Sequence, residues 1–131
     1  MKDLGFKRSE INLGVTTVAF SKNASLVNQL KESGFGTVQT NVDGKRFTKE
    51  KLVTFLKPCH SAIIGLDQVD SELLNSLPNL KSISKYGVGL NNIDLEACAH
   101  SGVEVLHTPG VNKRSVAEMA LGFMLSLSRN I

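Results

Sequence analysis

Residues 85–90 read "KYGVGL". Lys85 and Tyr86 lead out of an apolar run into Gly87, Val88 and Gly89, and the pair Asn91 and Asn92 follows. Glycine accepts positive φ and lets the backbone come close to a ligand, because no Cβ intervenes. Two glycines one residue apart allow successive N–H groups to converge, and such a concavity takes an anion. Lys85 adds a positive charge suited to a carboxylate or a phosphate. A tight strand-to-helix turn also needs glycine, so the motif alone permits binding without requiring it. It is not the dinucleotide fingerprint G-x-G-x-x-G, since the sixth position is Asn92 and no acidic residue follows the next strand at the fingerprint's spacing.

Other chemistry is harder to assemble. Cys59 and Cys98 are isolated, and His60, His100 and His107 lack metal-ligand spacing, so no metal is expected. The cysteines read as small core residues. The histidines read as polar strand-end or surface residues, and none is assigned a catalytic role. Lys+Arg 15 against Asp+Glu 12 leaves only +3, and the basic residues are scattered along the chain. With 5% aromatic residues there is no stacking platform either, so nucleic acid is not an expected partner. No apolar run is long enough for a bilayer, so no membrane partner is expected. The polar start "MKDLGFKRSE" is no secretory signal. A cytoplasmic location follows by default.

The elements that would position the glycine loop alternate along the chain. "GVTTVAF" (14–20) predicts a buried strand, and the helix after it carries Leu26, Val27 and Leu30 on one face and stops at Gly34. "GTVQT" (36–40) is a second strand. Thr48 caps a helix with Leu52, Phe55 and Leu56 as its apolar stripe. "SAIIGL" (61–66) reads as a central strand, and "DSELLNSL" (70–77) as a short helix ended by Pro78. "LKSISK" (80–85) runs straight into the glycine loop. Asp94 caps the next helix, Gly102 ends it, and "VEVLHT" (103–108) is the fifth strand.

This alternation predicts an α/β fold: a flavodoxin-like, doubly wound parallel sheet of about five strands. Ligands of such sheets bind beyond the carboxyl ends of the strands. Both "KYGVGLNN" and "GLDQ", with Gly65 and Leu66, fall there. A phosphoacceptor receiver of the same architecture needs clustered acids after the first strand, where "FSKN" stands instead.

The last segment reads differently. Ser115 and Glu118 can form a capping box, with Asn112 as an alternative cap. Val116, Met119, Leu121, Phe123, Met124, Leu125 and Leu127 then cover nearly the whole circumference of a helix. A helix apolar all round has to be buried on several sides, so self-association through residues 116–127 is expected.

"LPNLKSISKYGVGLNNIDLEACAHSGVEVLHTPGVNKRSVAEMALGFMLSLSR" (77–129) closely resembles the NAD-dependent D-isomer-specific 2-hydroxyacid dehydrogenases, in their D-3-phosphoglycerate dehydrogenase-like branch. The resemblance implies that residues 1–108 are the substrate-binding domain. It makes 109–131 the crossover into a Rossmann NAD-binding domain and the first helix of that domain, with the remainder missing. Val88 and Gly89 would offer N–H groups to the substrate carboxylate. Lys85, Tyr86 and Gly87 would line the same pocket, faced by Gly65 and Leu66. Val88 and Val116 would touch the nicotinamide side of NAD. Asn91 stands where the family more commonly has Asp. The implied partners are a small 2-hydroxy or 2-oxo acid and a second copy of the chain, as a homodimer. The family's general acid/base, its tuning carboxylate and its arginine would all lie outside this sequence, so the chain alone is expected to be inactive. The competing reading is a stand-alone module that binds an anionic metabolite and dimerises without catalysis.

Overall fold

A computed structural model describes residues 7–131. The polar stretch 1–6, where the N-terminal domain and the reading of the leader begin, lies outside the described residues. The elements are β1 (Asn12–Val15), α1 (Val18–Ser21), α2 (Ala24–Glu32), β2 (Thr37–Thr40), α3 (Lys49–Leu56), β3 (Ser61–Ile64), α4 (Ser71–Asn75), β4 (Ser82–Lys85), α5 (Leu95–His100), β5 (Glu104–Leu106) and α6 (Lys113–Arg129). All pairings are parallel, in the order β2-β1-β3-β4-β5. This is the flavodoxin-like order, and its winding reverses between β1 and β3.

Local chemistry fixes most helix ends. Asn23, Thr48, Asp70 and Asp94 each accept the amide three residues ahead, from Leu26, Lys51, Leu73 and Ala97. Each bond satisfies one of the N–H groups that a helix start leaves without a partner. Gly34 and Gly102, at φ +80 and +68, follow α2 and α5 in the left-handed conformation that ends helices. The core lies around β3 and β4, where Leu56, Ile64, Val69, Leu73, Leu80 and Ile83 are all but inaccessible. Cys59 and Cys98 belong to it, and burial pushes both thiols up, away from the reactive thiolate. Among the described residues no His, Cys, Asp or Glu cluster could hold a metal. No described helix is long and apolar enough to cross a membrane.

Three local expectations are corrected. The strand expected over 14–20 stops at Val15, where β2 ends level with it at Thr40 and β3 runs only one residue beyond its partner Ile63. Thr16 bonds across to Ile63 O, and Thr17, extended at φ −72 and ψ 125, opens α1. The strand expected over 61–66 likewise ends at Ile64. In α6 the Ser115–Glu118 capping box does not form. The helix starts after Asn112, without a side-chain cap bond, and Glu118 pairs with Arg114 at 2.8 Å. The apolar face of α6 finds no cover among the described residues: every residue of the helix is exposed except Ser126, which is half-buried.

Candidate functional site

β4 delivers the chain to the carboxyl end of the sheet. Tyr86 N makes the last ladder bond, to Ile64 O at 2.8 Å. Gly87 then adopts φ +134, which an L side chain rarely does. The amides of Gly87, Val88 and Gly89 meet no acceptor among the described residues. The result is three consecutive bare donors at one strand end. A Cβ on Gly89 would come within 3.2 Å of Asn91 Oδ1, so that glycine also makes room for the turn.

The loop is held from beneath. Lys85, expected to meet a ligand with its charge, instead donates to Gly65 O and to Asn92 Oδ1. Burial pulls its ammonium below the ordinary 10.5, and the nearby Asp67 opposes that shift. Asn92 Nδ2 donates to Gly65 O and to Asp67 O at 3.2 and 2.6 Å. Val69 N and Asp94 N complete a short parallel bridge to Asn92 O and Val69 O. The loops after β3 and β4 are therefore stitched into one rim. Such a rim costs less to order on binding than two free loops would.

Beside this rim, at the β1/β3 switch, lies a cleft of about 320 Å³. Thr16, Thr17, Arg46, Leu66, Asp67 and Tyr86 line it, with Gly65 at its wall. Gly65 is required by packing, since a Cβ there would lie 3.0 Å from Thr17 Cβ. Asp67 is buried and accepts from Thr16 Oγ1 at 2.5 Å, which ties the end of β1 to the loop after β3. The Tyr86 ring stands edge-on to Phe20 at 5.4 Å and walls the cleft on the side of the glycine loop.

The structure thus brings Lys85, Tyr86, Gly87, Val88 and Gly89 together with Gly65 and Leu66. Val116 is on α6, 57% exposed, in an apolar patch with Met119 and Phe123. Sequence reading missed Thr16, Arg46, Asp67 and Asn92. The signal was available for two of them, because Thr16 and Asp67 follow the two strands that flank the switch. No histidine lines the cleft. His60 sits at the opposite end of the sheet and accepts the Asn12 amide, His100 Nδ1 contacts Glu96 O, and His107 is exposed after β5.

Val88 is half-buried in the glycine loop, and Val116 stands exposed on α6.

A family model described as "D-isomer specific 2-hydroxyacid dehydrogenase, catalytic domain" matches residues 17–127. The chain is 34% identical over 91 residues to D-3-phosphoglycerate dehydrogenase of Sus scrofa, an alignment covering 69% of this chain and 17% of that protein. It is 32% identical over 94 residues to hydroxypyruvate reductase of Thermotoga maritima, covering 71% and 31% respectively. Among solved structures, NAD+-bound 3-phosphoglycerate dehydrogenase of Entamoeba histolytica superposes with a TM-score of 0.73 at 30% identity, over 89% of this chain and 39% of the other. The apo D-lactate dehydrogenase of Escherichia coli gives 0.69 at 28%, over 92% and 38%. The chain therefore spans well under half the length of these relatives.

Proposed function

The chain belongs to the D-isomer-specific 2-hydroxyacid dehydrogenase family, and on that premise we propose that it supplies the substrate-binding half of an NAD-dependent oxidoreductase. The substrate is a small 2-hydroxy acid or its 2-oxo partner, and the reaction is hydride exchange with NAD. Residues 1–108 form the substrate domain, and 109–131 cross into the cofactor side. Two buried free thiols suit the reducing cytoplasm in which we place it.

The observation that carries this reading is the row of bare amides at Gly87, Val88 and Gly89. Hydrogen bonds from neutral amides to a carboxylate are charge-assisted, each worth about 1.5–3 kcal/mol. They fix the acid end of the substrate and so orient its carbinol carbon. Lys85 and Asn92 hold the amides in place, and Tyr86 walls the pocket. A bound nicotinamide would supply the hydride chemistry, and Val88 and Val116 would be its apolar contacts from this chain. Without an imidazole in the cleft, these residues bind and orient but do not turn over.

The test is titration of the 15N-labelled chain with glycolate, followed by amide NMR. The shifts should be largest at Gly87, Val88 and Gly89 and should saturate together. If those three amides stay still while glycolate is added to excess, the reading fails.

The exposed apolar side chains of α6 support a homodimer through residues 116–127. Phe123 and Met124 are both more than 60% exposed, and replacing them with Ser and Gln should convert a sedimenting dimer to a monomer. A wild-type chain that already sediments as a monomer would disprove this assembly.

A further inference from the structure

We infer that the open face of the sheet over β3, β4 and β5 receives α6 from a second copy of this chain, so that two chains exchange these helices. This rests on the reading that residues 116–127 carry the homodimer, and it names the surface on which they land.

The two faces of the sheet are covered unequally. A Cβ at Gly14 would meet Leu56 and Cys59, so the side chains level with it, Ala62, Ile83 and Val105, lie on the α3 face. Helices α3, α4 and α5 pack there as one core, and Ala62, Ile64 and Ile83 are sealed within it. On the other face Leu13 and Val15 of β1 are buried. Level with them the next strands carry Ser61, Ile63 and Ser84, all half-buried, and Leu106, which is 42% exposed. Side chains alternate across a strand, so these residues share one surface. The helices after β1 contact each other and β2, which leaves that surface open. Parallel sheets are covered on both faces, and here part of one layer is missing.

α6 has the complementary lack. With 3.6 residues per turn, Val116, Met119, Phe123 and Leu127 form one apolar stripe, and Leu121, Met124 and Leu125 form a second, about a third of a turn away. All seven are exposed, and α6 stands clear of its own sheet with no residue buried. Pairing helix against helix covers one stripe and leaves the other in water. The open sheet face is the second surface the helix needs. Charge agrees with this placement. Glu104, half-buried on that face, has no ion-pair partner among the described residues, and neither do Lys113 and Arg129 at the two ends of α6. The 17-residue helix is about 26 Å long and about 10 Å wide. Two such footprints, counted on helix and sheet alike, come to roughly 1,000 Å², the size at which a specific association begins.

The experiment mixes 15N-labelled chain with unlabelled Glu118→Cys chain that carries a nitroxide. Cys59 and Cys98 are buried, with thiols pushed up by that burial, so the label goes to position 118 on the polar side of α6. Nitroxide and isotope are on different chains, so broadening reports contact between copies. The amides of Ile63, Ser84 and Leu106 should broaden, and those of α3 should stay sharp. Ser84→Glu puts a carboxylate under the docked helix, and it should raise the dimer dissociation constant at least about tenfold in sedimentation. Thr54→Glu, on the exposed side of α3, should leave it unchanged. A dimer whose sheet amides stay sharp overturns the inference alone. So does a folded Ser84→Glu chain that dimerises as tightly as the native one, or a loss matched by Thr54→Glu. Broadening seen only when nitroxide and isotope share one chain places α6 on its own sheet and also overturns it. If Ser84→Glu does not fold, the broadening decides. A native chain that is monomeric throughout removes the homodimer reading and this inference together.

Discussion

Replacing Leu56 with alanine will cost about 2–5 kcal/mol of folding free energy, the range for emptying a packed site. That is a large part of the roughly 5–15 kcal/mol a domain of this kind has in total. Leu56, the last residue of α3, is wholly inaccessible and packs against β1. Its neighbour across the interface is Gly14, where a Cβ would come within 2.9 Å of both Leu56 Cδ2 and Cys59 Sγ. A glycine has no side chain to move into the hole, so the cavity stays open. The same contact makes Gly14→Ala unfavourable in the native core, by about 1–3 kcal/mol from overpacking. In the Leu56→Ala background the Leu56 half of that clash is gone, and only Cys59 Sγ and Phe55 still press on the added methyl. The double variant should therefore be more stable than the sum of the singles predicts, by about 1 kcal/mol or more. Urea midpoints at constant m-value give all four corners of the cycle. Strict additivity would show that Gly14 and Leu56 do not share the space the structure gives them.

Lys85→Met should weaken glycolate binding by at least about tenfold and lower stability by about 1–3 kcal/mol, the cost of leaving Asn92 Oδ1 without its donor while Gly65 O keeps only the longer bond from Asn92 Nδ2. The methionine keeps much of the aliphatic stem but gives Gly65 O and Asn92 Oδ1 nothing in place of the ammonium. The loops after β3 and β4 then lose their shared cation, and the amides of Gly87–Gly89 lose their fixed direction. The alkaline limb supplies an independent readout. Burial lowers the Lys85 pKa in the folded chain below its ordinary 10.5, so between those two values the unfolded chain holds more protons. Native stability therefore gains a contribution as pH rises through that window, and Lys85→Met should remove it. Unchanged glycolate affinity in a folded Lys85→Met chain would mean the ammonium is not what positions the loop.

Leu56 was visible as a core residue in the stripe Leu52, Phe55, Leu56, because helical periodicity is local. Nothing local said that Gly14 lies against it. Lys85 was visible as a charge beside a glycine loop, and a charge in a ligand loop reads naturally as a ligand contact. Its actual partners are at Gly65 and Asn92, 20 and seven positions away, and only the pairing of β3 with β4 brings the first of these within reach.

What the sequence determined by itself was the alternation of strands and helices, the caps at Thr48 and Asp94, the parallel α/β class and the glycine loop at a strand end. All of these depend on interactions among residues a few positions apart. The tertiary structure decided where the strands stop, because a strand lasts only as long as its neighbours' ladders. It also decided which strand ends meet: the 2-1-3-4-5 order sets Thr16 against Asp67 and opens the cleft beside Tyr86. Arg46 gave no signal in the sequence because it belongs to no motif; it reaches the site only because Asn41 ties its loop to the end of β1. Long-range juxtaposition is a property of the packed sheet, and no local pattern encodes it.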